Sequence, residues 1–391
     1  MRNTDWAVAP GETLRVRLEE IDMTQAELAR RTSLTPKHIN QIVRGSASVS
    51  ADVAQRLEMV TGTPAHWWLR LEASYRERLQ QLEQRESFRT LIPWMRRMPI
   101  KHLVARGYLR DGKVEDVDRV GELLRFFGVA NKPTFDALMG SLVVRFRQTS
   151  AYSIDDAAVA VWLRLGELAA RELPAPAFRP NALRTALPQL RALTQRPVRE
   201  ALQETVTLAA SFGLRIVFVE DVPGTRAYGV TRWFSASEPV VQLSLRGRTD
   251  DKLWETLFHE LGHVLLHGHA ELFVETDPDD QNEDAASAAA QSANGVPVEE
   301  RQAQEFAYEL LIPSSRANEL LDLHTPEDVL DFAEQIGVAP SVVVARLQHV
   351  GLWDHGAGSR LKQHVSEQDL PGRYAAASSK RRGVWGMPGD D

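Results

Sequence analysis

The run His259-Glu260-Leu261-Gly262-His263 sets two imidazoles four residues apart, with a carboxylate directly after the first. Residues 253–267 read as one helix, and on a helix residues four apart share a face. Both imidazoles can therefore reach one metal ion, with Glu260 beside it to take a proton from a water molecule. The chain has no cysteine, which excludes disulfides and leaves His, Asp and Glu as the available zinc ligands. A catalytic zinc takes three protein ligands and keeps one position for water. His259 and His263 supply two of them.

The third has to come from elsewhere. A later helix carries Glu299, Glu300, Glu305 and Glu309. Its apolar stripe is Ala303, Phe306, Ala307, Leu310 and Leu311. Glu300 lies one turn before Ala303 and two before Ala307, so it falls on the inward side, whereas Glu299 and Glu305 point more to solvent. Glu300 is the expected ligand; the competing reading is a solvated helix start, where carboxylates are common. With Zn2+ in place, Glu260 is the expected general base in attack on a peptide carbonyl, passing its proton to the leaving amine. The apolar run 240–245 just before the helix is expected to pair with an extended substrate. Tyr308, two turns after Glu300, is a candidate for stabilising the oxyanion, set against the alternative of a core tyrosine. His267 is about 12 Å along the helix from His259, too far for the same ion, and reads as a polar helix end. His269, His324 and His349 stand alone and read as solvated or locally hydrogen-bonded.

The elements around these residues change character along the chain. Residues 11–85 are a dense helical series with Thr24, Thr35 and Ser50 as caps, Pro36 at a first helical position and Gly45 as a stop. A last helix of this series opens at Thr63-Pro64 and carries Trp67, Trp68 and Leu71. Residues 86–210 are also helical, punctuated by Pro174, Pro176 and Pro180, with Trp94, Phe126, Phe127 and Trp162 at core spacing. Three β-rich runs follow at 214–219, 227–234 and 240–245. Residues 270–298 are acidic and Ala/Ser-rich, with Asp277, Asp279, Asp280, Glu283 and Asp284, and read as a mobile loop. A helix runs from 298–300 to Leu311, where Pro313 stops it, and shorter helices are expected at 327–336 and 340–349. From about 356 the chain is Gly/Ser-rich with a basic patch, Lys380-Arg381-Arg382, and reads as a disordered tail.

The stretch Thr24–Gly45 has the form of a helix-turn-helix. Leu28, Ala29, Leu34, Ile39 and Ile42 would pack its two helices together. Lys37, His38, Asn40, Gln41 and Arg44 are left outward on the second helix, as side chains able to read base edges or hold phosphates. Gln25, at the start of the first helix, and Thr35, at the start of the second, join them as candidate DNA contacts. Residues 1–85 hold 12 Lys/Arg against 11 Asp/Glu, so charge adds no independent support. A helical protein-docking module with the same pattern is the alternative.

These residues carry two family resemblances. Gly11-Glu12-Thr13-Leu14, Thr24-Gln25-Ala26-Glu27-Leu28-Ala29, Thr35–Gly45 and Ser50–Trp68, closing on Gly62-Thr63-Pro64-Ala65-His66-Trp67-Trp68-Leu69, look like the Xre-type helix-turn-helix of HigA antitoxins. The strand Val240–Arg246, the HExxH helix ending Leu265-Leu266-His267, and Glu300–Pro313 resemble the ImmA/IrrE family of zinc metallopeptidases. In that family a Glu-x-x-Ala-Asn-x-Phe-Ala helix follows HExxH, and its leading Glu binds the metal. The resemblance maps this role onto Glu300, in agreement with the helix-face argument, while the family's Asn is Gln304 here. It implies a zincin-like, gluzincin-type fold with a small mixed sheet.

The expected architecture is mainly α with a small α+β part. It divides into a helix-turn-helix domain at 8–85, a helical connecting region at 86–210, a metallopeptidase domain at 211–350 and a tail at 351–391. The 391 residues, 43% hydrophobic and 25% charged, suit a multi-domain soluble protein. No apolar run approaches a membrane span, the N-terminus lacks a signal-peptide layout, and a cytoplasmic location is expected. A net charge of −7 argues against indiscriminate nucleic-acid binding. The expected function is a homodimeric, antitoxin-like transcriptional regulator that binds operator DNA. Its zinc endopeptidase domain would cut a partner protein such as a repressor or cognate toxin, as in toxin–antitoxin or stress-response systems. The alternative is a non-proteolytic regulator whose peptidase-like domain senses a ligand or metal, or binds a toxin.

Overall fold

The computed structural model describes residues 9–149, 155–267, 273–275 and 297–371. His269, the acidic cluster 277–284 and the basic patch 380–382 lie outside the described residues. The chain forms two compact units, one of residues 1–93 with 115–121 and the other of residues 94–114 with 122–391.

In the first unit the capping residues set the helices. Thr24, Thr35 and Ser50 accept the backbone N–H three residues on, at 3.2, 3.1 and 3.3 Å, which satisfies donors that a helix start leaves open. The helices are α1 (Pro10–Glu20), α2 (Gln25–Thr32), α3 (Pro36–Val43), α4 (Ala51–Thr61) and α5 (Ala65–Thr90). Ser33 takes a left-handed conformation between α2 and α3, and Gly62 does so after α4. Leu14, Leu28, Ile39, Ile42, Ala54, Leu57 and Trp68 form a core sealed from solvent. The last helix runs to Thr90, past the boundary expected at 85.

In the second unit α7 (Ile100–Ala105), α9 (Lys132–Thr149), α10 (Asp156–Arg171), α11 (Pro180–Ala192) and α12 (Val198–Ser211) lead to a mixed sheet; α6 (Ile92–Arg96) and α8 (Asp116–Phe127) span the division between the units. The strands are β1 (Arg215–Phe218), β2 (Gly229–Trp233), β3 (Pro239–Leu243) and β4 (Phe273–Glu275), in the order β1-β3-β2-β4. Three of them match the apolar runs; β4 falls inside the stretch read as a mobile loop. β3 is parallel to β1 and antiparallel to β2. Both its edges are taken, so the run 240–245 cannot accept an extended substrate as expected. Among the described residues β1 and β4 are the outer strands.

Strand side chains alternate between faces, and both faces of this sheet are covered. On one, Ile216, Phe218, Val241 and Leu243 pack with α13 (Asp250–Leu266), the HExxH helix. On the other, the Gln242 amide donates to Trp162 O at 2.8 Å and the Arg232 guanidinium to Leu163 O at 2.8 Å, both on α10. Leu183, Leu190, Leu202 and Val206 of α11 and α12 share one core with α13. The helical stretch 122–210 is thus part of the same unit as the HExxH helix, where a separate connecting region was expected. Periodicity shows that a helix has a buried face, but not which element buries it.

The helix α14 (Val298–Leu311) lies across α13, and α15 (Pro326–Ile336) and α16 (Pro340–His349) complete the layer. Residues 351–371 are ordered, contrary to the tail expected from 351. Asp250 accepts from Gln363 N at 2.8 Å and from Ser341 Oγ at 2.7 Å, Lys362 pairs with Asp251 at 2.7 Å, and Val365 is buried. These few apolar and paired positions in a Gly-rich segment hold the start of α13. No helix among the described residues is long and apolar enough to cross a membrane.

Gly166 of α10 packs directly against the Gln242 side chain of β3. A Cβ there would sit 1.7 Å from Gln242 Oε1. Gly→Ala inside a helix ordinarily stabilises by up to ~1 kcal/mol. Here Gly166→Ala is expected to destabilise the full chain by ~1–3 kcal/mol through overpacking, read from urea unfolding. A more stable variant would contradict this packing.

Candidate metal centre

The helix α13 is apolar on nearly every side, with Leu253, Trp254, Leu257, Phe258, Leu261 and Val264 all buried. Such a helix belongs in a core, so its polar residues go inside with it: His259 is 3% exposed, and Glu260 and His263 are 0%. Gly262 lets α14 come close. A Cβ on it would meet Ala303 Cα at 3.0 Å and Ala303 O at 3.2 Å. Glu300, one turn before Ala303, is thereby set against the two histidines. At the far end of α14, Arg191 donates to Leu310 O at 2.6 Å and Leu311 O at 3.0 Å, closing carbonyls that a helix end leaves open.

The three side chains converge. His259 Nε2 lies 3.1 Å from Glu300 Oε2 and 2.9 Å from His263 Nε2, and His263 Nε2 lies 3.5 Å from Glu300 Oε2. Zinc bonds of about 2.0–2.2 Å at the tetrahedral angle separate their ligand atoms by about 3.3–3.6 Å. The observed triangle is close to that size. His259 Nδ1 lies 3.0 Å from Gln304 Oε1, and Gln304 Nε2 donates to Glu255 at 3.2 Å. The ring proton of His259 therefore sits on Nδ1 and leaves the Nε2 lone pair facing the cluster. The second oxygen of Glu300, Oε1, is buried and makes no hydrogen bond. A group of buried acceptors facing one another calls for a cation, and His259, His263 and Glu300 have the donor types and spacing to hold one.

Protonation states agree. Burial pulls the His263 pKa down to about 4, outweighing the pull of Glu300 in the other direction. Burial pushes Glu300 up, but the adjacent His259 and His263 rings prevail and bring it down to about 2. Near pH 7 the pair is thus a neutral imidazole and a carboxylate, the forms that bind metal.

Glu260 is held from the sheet side. Thr231 Oγ1, on β2, donates to Glu260 Oε2 at 2.5 Å. Nothing in the sequence around Thr231 announced this contact, because its partner is 29 residues away. His267, expected as a polar helix end outside the ligand set, has its Nδ1 3.0 Å from His263 Nδ1 and its Nε2 3.0 Å from Gln302 Oε1. The spacing of four from His263 was the available signal. Tyr308, the candidate for stabilising an oxyanion, makes ring contacts on its own side of the helix. Its ring lies 3.4 Å beneath the Arg346 guanidinium and packs against His349 at 5.4 Å. His324 serves locally, its backbone N–H donating to Asp328.

In the first unit, Lys37, Asn40 and Arg44 are exposed and Gln41 is half-buried. The spacing of these four places them on one face of α3. His38 and Gln25 are half-buried, and Thr35 is exposed with its hydroxyl engaged as the α3 cap.

Two outcomes check the cluster. Glu300→Gln is expected to lower zinc stoichiometry in a metal analysis of the purified chain. Metal-free protein should also lose thermal stability as pH falls from 6.5 towards 4. Unfolded His263 takes up a proton near 6.5, the folded residue only near 4, so its contribution is present above that window and lost through it. A melting temperature unchanged down to pH 4.5 would contradict the buried neutral histidine.

Comparison with known proteins agrees with both units. Residues 14–68 match a family of helix-turn-helix domains, and residues 209–348 match the IrrE N-terminal-like domain family. Virulence-associated protein I of Dichelobacter nodosus is 32% identical over 88 residues, 22% of this chain and 81% of the relative. Among solved structures, the Pseudomonas aeruginosa antitoxin HigA with the higBA promoter is 38% identical, covering 18% of this chain and 78% of that one, with a TM-score of 0.18. A HigA-family addiction module antidote protein from Coxiella burnetii is 27% identical over 22% of this chain and 92% of that one, with a TM-score of 0.20. Through its N-terminal unit the chain belongs to the Xre-like helix-turn-helix family, and it joins that domain to an IrrE-like, metallopeptidase-type domain.

Proposed function

We propose that this chain is an operator-binding regulator whose IrrE-like domain is a zinc-dependent endopeptidase acting on a regulatory partner protein. The observation that carries the reading is the convergence of His259, His263 and Glu300, with Glu260 next in the chain to His259. Those three residues would hold the metal. Bound zinc supplies Lewis-acid polarisation of a carbonyl and a water acidic near pH 7. Glu260 takes the proton from the attacking water and returns it to the leaving amine. Thr231 keeps the Glu260 carboxylate in place during both transfers. The buried setting strengthens each of these electrostatic interactions relative to water.

On the DNA side, α3 is the element that would enter the major groove, offering Lys37, Asn40, Gln41 and Arg44 from one face. Gln25, Thr35 and His38 would meet the flanking backbone and bases. A homodimer would read half-sites about 34–36 Å apart. Partners such as a repressor or a cognate toxin fit an antitoxin-type domain fused to a peptidase. A second reading is a regulator that senses metal without cutting. Near-complete burial of His259, Glu260 and His263 favours it, since a substrate carbonyl has to reach them.

Glu260→Gln separates the two. It should retain zinc and abolish a defined set of new protein N-termini that cells carrying the wild-type chain produce. If the two strains yield the same N-termini, and zinc removal changes operator affinity, the sensor reading stands and the endopeptidase falls. For the DNA unit, Gln41→Ala is expected to cost ~1–3 kcal/mol of discrimination at the base pair it reads, measured by competition binding at fixed salt. Equal affinity for all sequences before and after substitution would refute a reading role.

A further inference from the structure

His267 has no place in the ligand set, yet its ring joins the cluster from outside. Two nitrogens, His263 Nδ1 and His267 Nδ1, face each other at 3.0 Å. One must carry a proton and the other a lone pair. The other ring nitrogen of His267, Nε2, faces Gln302 Oε1 at 3.0 Å. An amide oxygen only accepts, so Nε2 of His267 is the protonated nitrogen and its Nδ1 is the acceptor. His263 Nδ1 therefore carries the proton, and His263 Nε2 presents its lone pair to His259 and Glu300.

We propose that His267 is a positioning residue of the metal centre. It fixes His263 in the tautomer and ring orientation that metal binding needs, and Gln302 fixes His267 in turn. This rests on the reading of His259, His263 and Glu300 as metal ligands, and not on proteolysis. The arrangement parallels the one on His259, where Gln304 accepts from Nδ1 and is itself tied to Glu255. Both histidines thus lean on glutamines of α14, the helix that also brings Glu300. A ligand imidazole whose second nitrogen is held this way keeps its orientation and gains basicity; losing the outer partner typically lowers metal affinity about 10–100-fold. The place in the fold suits the role. His267 ends α13 in an extended conformation, φ −114° and ψ 129°, and its backbone N–H caps His263 O at 3.1 Å. Leaving the helix at this residue turns the ring back towards His263.

The test is zinc affinity of the full-length chain, measured by competition with a chromophoric chelator, together with the visible spectrum of the Co2+-substituted protein. His267→Leu should weaken zinc binding about 10–100-fold and alter the cobalt bands. His267→Asn, whose Oδ1 takes the place of Nδ1, should recover most of the affinity. Gln302→Leu should show a smaller loss; because it is an exposed position, it keeps the proposal testable should His267→Leu not fold. Wild-type affinity and spectrum in His267→Leu, or no recovery in His267→Asn, would overturn the proposal. A wild-type chain that binds no zinc overturns the metal centre itself. Loss on His263→Ala with none on His267→Leu overturns only the role given to His267.

Discussion

The contact between Gly262 and Ala303 governs the rest of the site. Two helices approach closely only where both present small residues, and here the small residue of α13 lies inside the HExxH motif itself. That approach carries Glu300 to within 3.1 Å of His259 Nε2. It also fixes where Gln302 and Gln304 fall. One side chain larger than hydrogen at 262 would move the helix that provides the third candidate ligand and both outer amides. Arg191 at the C-terminus of α14 and Asp250 at the start of α13 hold the two helices at their other ends.

An arrangement of acceptors facing acceptors is unfavourable in isolation. Buried polar groups without partners cost free energy, and buried charges cost more. The protein offsets this with the sheet and helices around the cluster, which orient each group so that a single cation can satisfy all three. Burial that depresses the His263 pKa also keeps it available as a ligand at neutral pH. The features that make the cluster costly without metal are the same ones that suit it to bind metal, which couples metal occupancy to the stability of the fold.

Much of the local structure was legible in the sequence because its causes are local. Thr24, Thr35 and Ser50 cap the helices they were expected to cap, since capping involves residues within one turn. Three apolar runs became strands, and the inward placement of Glu300 followed from the helical period alone. Less legible were features decided by distant partners. The run 240–245 looked suited to a substrate, but the sheet order puts β3 between β1 and β2. The ordered segment 351–371 looked like a tail, because its hold on α13 depends on a few residues such as Lys362, Gln363 and Val365 in an otherwise Gly-rich stretch.

Residue types and spacing by themselves determined the candidate metal-ligand pattern, the carboxylate beside it, the helix-turn-helix and its outward face. These depend on periods of two and 3.6 and on short-range hydrogen bonds, which the order of residues encodes directly. Only the tertiary structure decided what surrounds them. It placed Thr231 on Glu260, His267 and Gln302 behind His263, and Tyr308 under Arg346. It also drew α10, α11 and α12 into the same core as the HExxH helix. Such pairings join residues tens of positions apart, and their identity is set by which faces must be buried together, a property of the whole chain that no short stretch carries.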